Sequence, residues 1–384
     1  MKTFTFILFL IISAPSFSQS LPHYEFHKHR IGHKDRAEQR TDERATFTFE
    51  PMMAWTYQHA SKVLPGSPHA KAILYYDVGG TWTVWNDSEG LGQFVYGIQG
   101  NVAGGTPSSP SLSSSLGNPM AMNNILTSEK LELASLYWQQ SFSNHKTRLR
   151  VGKFLDASFF DQNTIASDSV SGFLAQNFNQ SITNPMPDYG FGINVAWDVT
   201  EKSVLRFGIA NSEPKGVRTT GFGGMSWGHL FSIAEYDITS NQKIGGVDRV
   251  GHYRFMVWHN GAENSAGTGD TNGWGLLFNC DQQISDAMTI FARIGGGEED
   301  VTPSNFSVST GFQVNDPFGF TNMTTGLAYQ YAELSNGNNH QNLVEWFARI
   351  KMENGLNVGP VLQYFEDDAI DGSFVLGFRT SLSF

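Results

Sequence analysis

The sequence predicts an all-β protein, a transmembrane antiparallel β-barrel of about 16 strands. Three observations carry that expectation. Apolar residues alternate with small or polar ones in about sixteen segments between Ala45 and Phe384. Most segments run about ten to thirteen residues, the length a tilted strand needs to cross a bilayer. Short connections alternate with long ones, the pattern of short periplasmic turns and longer extracellular loops. Composition agrees: 16% of the 384 residues are charged, against roughly 25% in an average soluble domain. Gly numbers 40, aromatics make up 13% and mean hydropathy is −0.27. That mixture excludes a bundle of apolar helices and a disordered chain. A net charge of −11 argues against nucleic acid as a partner, and a lone Cys280 excludes a disulfide framework.

Residues 1–18 read as a secretory signal peptide. Lys2 begins a short basic region, Phe4 to Ala14 form an apolar stretch, and Ser16 and Ser18 place small residues before a cut at Gln19. The apolar run is too short to span a membrane, and no later window approaches ~18 consecutive apolar residues. Residues 19–44 form a charged, His-rich periplasmic tail. Between Leu21 and Arg44 lie 11 charged residues of mixed sign together with His23, His27, His29 and His33. His pairs four apart could meet on a helix face and hold a metal, but nothing apolar there repeats at a structural period. A solvated tail without metal is the expectation, and the barrel occupies 45–384.

The period of two is plainest at the end of the chain. Phe374, Leu376, Phe378, Thr380, Leu382 and Phe384 share one face, and Gly377, Arg379, Ser381 and Ser383 the other. Leu356, Val358, Leu362 and Tyr364 oppose Asn357, Gly359 and Gln363, and Val344, Trp346 and Ile350 oppose Glu345 and Arg349. Tyr189, Phe191, Ile193, Val195 and Trp197 oppose Gly190, Gly192, Asn194 and Ala196. Two segments, 129–142 and 228–238, change phase partway. A β-sandwich would also alternate, but with strands nearer five or six residues. A β-helix needs a fixed repeat, and none is visible.

Catalytic patterns are weak. Gly224-Met225-Ser226-Trp227-Gly228 matches G-x-S-x-G, yet lacks the strand-to-helix setting of a nucleophile elbow. Glu298-Glu299-Asp300 and Glu366-Asp367-Asp368 are acidic runs between strands, with the character of solvated loops. The expectation is no catalytic residue, no metal and no cofactor. Leu155 to Pro187 shows no sustained alternation and reads as one long inserted loop. Its stretch Phe159, Phe160, Asp161, Gln162 and Asn163 is the candidate constriction, with a cover over the outer mouth as the alternative.

Several pieces, in order, resemble the carbohydrate-selective (OprB-like) porin family. They include Arg148-Leu149-Arg150-Val151-Gly152-Lys153-Phe154, Phe159 to Asn163, Asn184-Pro185 with Pro187-Asp188-Tyr189-Gly190, and Gly251-His252-Tyr253-Arg254. Asp281-Gln282, Phe291-Ala292-Arg293-Ile294-Gly295, Pro360 to Tyr364 and Val375 to Arg379 complete the set. Phe318-Gly319-Phe320-Thr321-Asn322 departs from the pattern, lacking charged residues. The resemblance implies a sixteen-stranded, monomeric outer-membrane channel for passive diffusion of small neutral sugars. Separately, the terminal Phe384 closing an amphipathic strand resembles the signal by which outer-membrane barrels are recognised for insertion, so the barrel-assembly machinery is the expected partner of that strand. The alternatives are an outer-membrane barrel enzyme and a general porin without sugar preference.

Beside the resemblance stands a physical argument. Arg148, Arg150, Arg206, Arg254, Arg293, Arg349 and Arg379, with Glu345, fall on the face opposite the lipid-facing residues. A cation on the lipid face near the midplane costs about 2–4 kcal/mol, so these side chains should face the lumen. They either solvate it or form a constriction whose donors and acceptors bind sugar hydroxyls.

Overall fold

In hydrocarbon every backbone N–H and C=O must be paired, so a run of amphipathic strands can only close on itself. The computed structural model describes residues 46–104, 112–125, 131–212, 229–261, 272–335, 339–353 and 355–383. The signal peptide, the His-rich tail, Ser226 with its flanking glycines, and Phe384 lie outside the described residues.

The strands are β1 (Thr46–Phe47), β2 (Glu50–Ala60), β3 (Ala70–Asn86), β4 (Leu91–Gly104), β5 (Glu132–Phe142) and β6 (Thr147–Phe154). They continue as β7 (Gly190–Thr200), β8 (Ser203–Asn211), β9 (Leu230–Ile244), β10 (Val247–Asn260), β11 (Gly273–Gln283) and β12 (Met288–Gly297). The last are β13 (Ser304–Asn315), β14 (Met323–Leu334), β15 (His340–Lys351), β16 (Leu356–Asp367) and β17 (Ser373–Ser383). From β2 onward each strand pairs antiparallel with the next, and β17 returns to β2, with Phe378 opposite Tyr57 and Arg379 opposite Thr56. The result is a closed barrel of 16 strands, as expected; β1 is a two-residue extension that pairs with β3.

The connections alternate strictly. Spans 87–90, 143–146, 201–202, 245–246 and 284–287 turn tightly at the end that carries both ends of the barrel chain. The opposite end carries 61–69, 155–189 and the described stretch 112–125. Outward positions form an apolar band: Ile193, Phe207, Phe255, Leu276, Trp346, Leu376 and Phe378 are exposed. Aromatic clusters edge it, with Trp85 5.3 Å and Phe94 4.7 Å from Trp138 near the tight turns. Trp274 lies 4.5 Å from His259 near the long loops. Such girdles place amphipathic rings at both membrane surfaces.

Both irregular segments have a physical origin. In β5, Gly97 pairs with Ser135 while Ile98 pairs with Leu133, so Ala134 is a bulged residue and the alternation resets around it. The bulge brings Tyr137 inward opposite Gly152, whose φ of 143° favours glycine and where a Cβ would meet Leu136 O at 2.5 Å. In β9 the geometry is regular, but Phe231 and Ile233 point inward together with Glu235 and Asp237. The inward face is therefore not uniformly polar. Leu343, Phe291, Phe347, Phe365 and Val375 also turn in, against apolar residues of two segments that enter the lumen.

The face assignment gives an expected outcome. Phe378→Arg should destabilise the folded barrel in lipid vesicles by about 2–4 kcal/mol. Reversible denaturant unfolding measures it, and an unchanged midpoint would mean that the two faces of β17 are exchanged.

Candidate functional site

Two connections on the long-loop end turn inward. Residues 112–125 contain the single-turn helix α1 (Ser113–Leu116), and 155–189 contain a 3-10 turn (Asp156–Ser158) and the short helix α2 (Gln176–Asn179). Neither has a face long enough to hold itself, so the barrel wall supplies the partners. Gln58 and Gln363 donate their amides to Met122 O at 3.2 and 2.9 Å, and Asn123 donates to Thr56 Oγ1 at 2.7 Å. The two segments join where Asn124 N–H donates to Leu174 O and Gln176 N–H to Ala121 O, both at 2.8 Å. Phe173 and Phe178 then pack beside Phe291 and Phe347 in one apolar cluster with Leu112, Leu116 and Met122.

Asp161 is the polar anchor of the longer segment. It adopts φ 55°, a left-handed conformation tolerated by Asp, and is almost fully buried. Its Oδ1 accepts from Arg293 Nε at 2.8 Å and Asn279 Nδ2 at 2.7 Å, and its Oδ2 from Ser181 N–H at 2.7 Å. Arg293 also donates to Phe178 O at 2.6 Å, Ala166 O at 2.7 Å and Asp161 O at 2.9 Å. One guanidinium thus closes three turns of the inserted chain. Its fixed fork of donors suits several carbonyls at once, where an ammonium would act as a point charge. Glu235 accepts the Asp161 N–H at 2.9 Å and Asn163 donates to Asn279 at 2.8 Å.

All eight charged residues singled out from the sequence sit on the inward face, but they do not converge on one point. Arg206 pairs with Glu235 and with Asp237 (3.2 Å), and Arg254 with Asp281 at 2.9 Å. Together with Arg293 and Asp161 they form a buried ionic network along β8–β12. Arg379 donates to Ser169 O, and Glu345 accepts the Leu174 and Ala175 N–H groups and the Gln363 amide. Arg349 donates to Thr324 at 3.2 Å. Arg148 pairs with Asp198 at 2.6 Å, near the tight turns. Arg150 donates to Gln139 at 2.6 Å and lies 3.6 Å over the Phe159 ring, a cation–π contact. Phe160 is buried beside Phe159, and Gln162 donates to Ala157 O.

Among the described residues, a cavity of about 710 Å³ lies between the inserted segments and the wall, mainly β2–β6, with Ser212, Asn260 and Pro303 also bordering it. Tyr75, Tyr96, Tyr137, Phe154, Phe159 and Tyr189 contribute aromatic surface to it, and Gln99, Asn124, Gln176, Asn179, Gln180 and Asn184 contribute amides. Gln99 Oε1 accepts from Tyr75 at 2.8 Å and from Tyr189 at 3.2 Å. Of the thirteen residues singled out from sequence, only Phe159 borders this cavity. Asp188 is the single charged residue that borders it among the described residues. Sequence reasoning missed residues 112–125, the acidic partners Glu235, Asp237 and Asp281, and Tyr189. Alternation places Tyr189 outward with Phe191, but it precedes the first residue of β7 and its hydroxyl reaches inward to Gln99. Runs of inward carboxylates on adjacent strands were the available signal.

The profile described as "Carbohydrate-selective porin, OprB family" matches residues 95–384. Porin AaxA of Chlamydia pneumoniae is 24% identical over 392 residues, covering 90% of this chain and 80% of that protein. Among solved structures, the high-pH form of Pseudomonas putida OprB superposes with a TM-score of 0.70 at 14% identity, covering 89% of this chain and 95% of the other. A mutant porin of Rh. blastica gives a TM-score of 0.58 at 11% identity, covering 88% and 100%.

Two outcomes follow from the anchoring. Arg293→Met leaves Asp161 buried without its cation, a loss of about 3–5 kcal/mol that falls on the seat of the inserted segment. Single channels of the variant should show higher and noisier conductance, while heat-modified gel mobility still reports a folded barrel. Unchanged conductance and noise would contradict the anchor. Asp156, in the 3-10 turn, accepts from Asn194 at 3.3 Å, and burial pushes its carboxyl up to about 7, outweighing that hydrogen bond. A carboxyl near 3.9 in the free chain and raised in the folded one stabilises the seat at low pH and loses that contribution as pH rises through about 7. Proteolysis within 155–189 should therefore quicken from pH 5 to 8, and Asp156→Asn should flatten that dependence.

Proposed function

The chain belongs to the carbohydrate-selective porin, OprB family, and from that premise we propose the route that its solutes take and the chemistry that selects them. The protein is an outer-membrane channel for passive diffusion of carbohydrates. The route is the cavity between the inserted segments and β2–β6, whose size lies within the range of ~300–1,000 Å³ usual for small-molecule sites. The observation that carries this reading is its lining: aromatic rings and amides, with Asp188 as the lone charged residue among the described ones. Ring faces stack on the C–H faces of sugars, and amides offer both donors and acceptors to hydroxyls. A near-neutral wall holds neither cations nor anions, and weak, repeated contacts let a neutral polyol enter and leave. No gradient other than that of the solute is needed.

The inward charges take a different part in this reading. Arg293, Arg379 and Glu345 hold the inserted segment and so set the shape of the passage. Arg206 and Arg254 pair with Glu235 and Asp281, the carboxylates that accept the Asp161 and Thr164 N–H groups. Arg150 reaches it through Phe159, which it clamps from behind. Arg148 and Arg349 line the lumen toward the tight-turn end. The mature chain is taken to begin at Gln19, to work as a monomer, and to be assembled through its Phe384-closed strand. N-terminal sequencing and native mass of the outer-membrane protein test the first two, and deletion of Phe384 tests the third.

Liposome swelling tests the selectivity. Neutral hexoses should enter faster than size-matched gluconate or lysine, and Phe159→Ala should raise all rates while narrowing that difference. Exclusion of neutral sugars while charged solutes pass freely would overturn the reading.

A further inference from the structure

We propose that Arg150 forms a binding station for a small oxyanion, a phosphate, sulfate or carboxylate group, on the tight-turn side of the Phe159 ring. Such a station lies outside the proposed carbohydrate passage and takes a different class of solute.

Arg150 is the exception among the seven inward arginines. Arg148, Arg206, Arg254 and Arg293 each form an ion pair with a carboxylate. Arg349 lies in the field of Asp168, and Arg379 in those of Glu345 and Asp168. Among the described residues no carboxylate acts on Arg150; the charged groups that do are the guanidiniums of Arg148 and Arg206. A cation drawn out of bulk water, with further cations beside it and no carboxylate of its own, attracts a mobile counter-ion.

The geometry leaves suitable atoms open. Arg150 Nε donates to Gln139 Oε1 at 2.6 Å, from the residue directly opposite on β5, and the Phe159 ring covers the guanidinium face at 3.6 Å. Those two contacts fix the plane of the group. Nη1 and Nη2 donate to no protein atom among the described residues, and they are not sealed from the lumen, since the side chain is only half-buried. Tyr137 adds a hydroxyl. It shares the inward face of β5 with Gln139, lies within electrostatic reach of the guanidinium, and meets Phe159 edge-on at 6.0 Å. Its hydroxyl also has no protein partner among the described residues and is open to the lumen. Tyr137 and Phe159 border the cavity while Arg150 does not, so the Phe159 ring stands between the neutral passage and the cation.

These donors select the ligand chemistry. Two N–H groups on one guanidinium edge match paired oxygens of a carboxylate or phosphate, and a stacked guanidinium is held ready for that bidentate contact. Chloride has no paired oxygens. A neutral sugar offers no charge to answer the cation, and an ammonium is repelled by it.

Single-channel recordings on the full-length protein in planar bilayers test this, in chloride at fixed ionic strength, with sodium phosphate, sodium gluconate and lysine hydrochloride as probes. Phosphate should lower the chloride conductance saturably in the wild type, and lysine should not. Arg150→Gln should raise the half-blocking phosphate concentration roughly tenfold or more. Arg150→Lys, which keeps the charge and loses the fork, should fall between the two. Tyr137→Phe should raise it about threefold, and serves as the test if the arginine variants fail to assemble. Block by phosphate alone assigns the station to a free inorganic ion; block by gluconate as well assigns it to the oxyanion group of any solute that carries one. No block in the wild type, or block of unchanged concentration dependence in every assembled variant, would overturn the proposal. Lysine acting at the concentrations effective for phosphate would overturn the ligand class. Glucose-driven swelling of wild-type liposomes, run alongside without phosphate, reports the carbohydrate reading separately, so either can fail while the other stands.

Discussion

Backbone pairing is the constraint from which the rest of this structure follows. A strand in hydrocarbon cannot leave N–H or C=O groups open, so the first barrel strand has to meet the last, and it does so through nine residues of β17 against β2. Closure divides every side chain between lipid and lumen at a period of two. The lipid side is then bound to be apolar, and the charged residues of the strands have one place to go. Arg379 beside Phe378 is that division at its sharpest, a buried guanidinium one residue from an exposed ring.

Sending charges inward creates a second problem, since the inside of a sixteen-stranded barrel is too wide for facing side chains to satisfy one another. The inserted segments resolve it. Their backbone groups become the partners that the wall lacks: Arg293 takes carbonyls at three places, Arg379 takes Ser169 O, and Glu345 takes two N–H groups. The same contacts order a chain of 35 residues that has scarcely any regular structure of its own. Apolar inward residues on the same strands, among them Phe291 and Phe347, add packing to that polar frame. Charge and apolar burial act together here, and removing either partner of a buried pair would leave a costly orphan.

The densest ionic network runs along β8–β12, while the cavity proposed as the passage lies mainly along β2–β6. In that reading its wall is chiefly β2–β6, whose inward charges Asp77, Glu132 and Lys153 are themselves buried, and the inserted segments add amides and rings to the lining. In the proposed reading, selectivity for a neutral solute depends less on the arginines themselves than on where they are occupied. The bulge at Ala134 and the glycine at 152 belong to this arrangement, since they bring Tyr137 into edge-to-face contact with Phe154 and Phe159 at 5.7 and 6.0 Å.

The barrel, its strand count, its register of faces and the existence of one long inserted loop were all legible in the chain alone, because each rests on a local period that the bilayer enforces. The phase change in 129–142 was visible, though its cause, one bulged residue in β5, was not. The inward direction of the arginines was also legible, as the cost of a cation in lipid decides it. Their partners were not: Asp161 meets Arg293 across 132 residues of sequence, and no local pattern encodes such a distance. Nor could alternation show that residues 112–125 enter the lumen or that Tyr189, just outside a strand, turns toward Gln99. Periodicity tells each residue which solvent it faces; only the closed barrel, by bringing distant loops and walls to the same point, decides what each inward side chain touches and where a path is left between them.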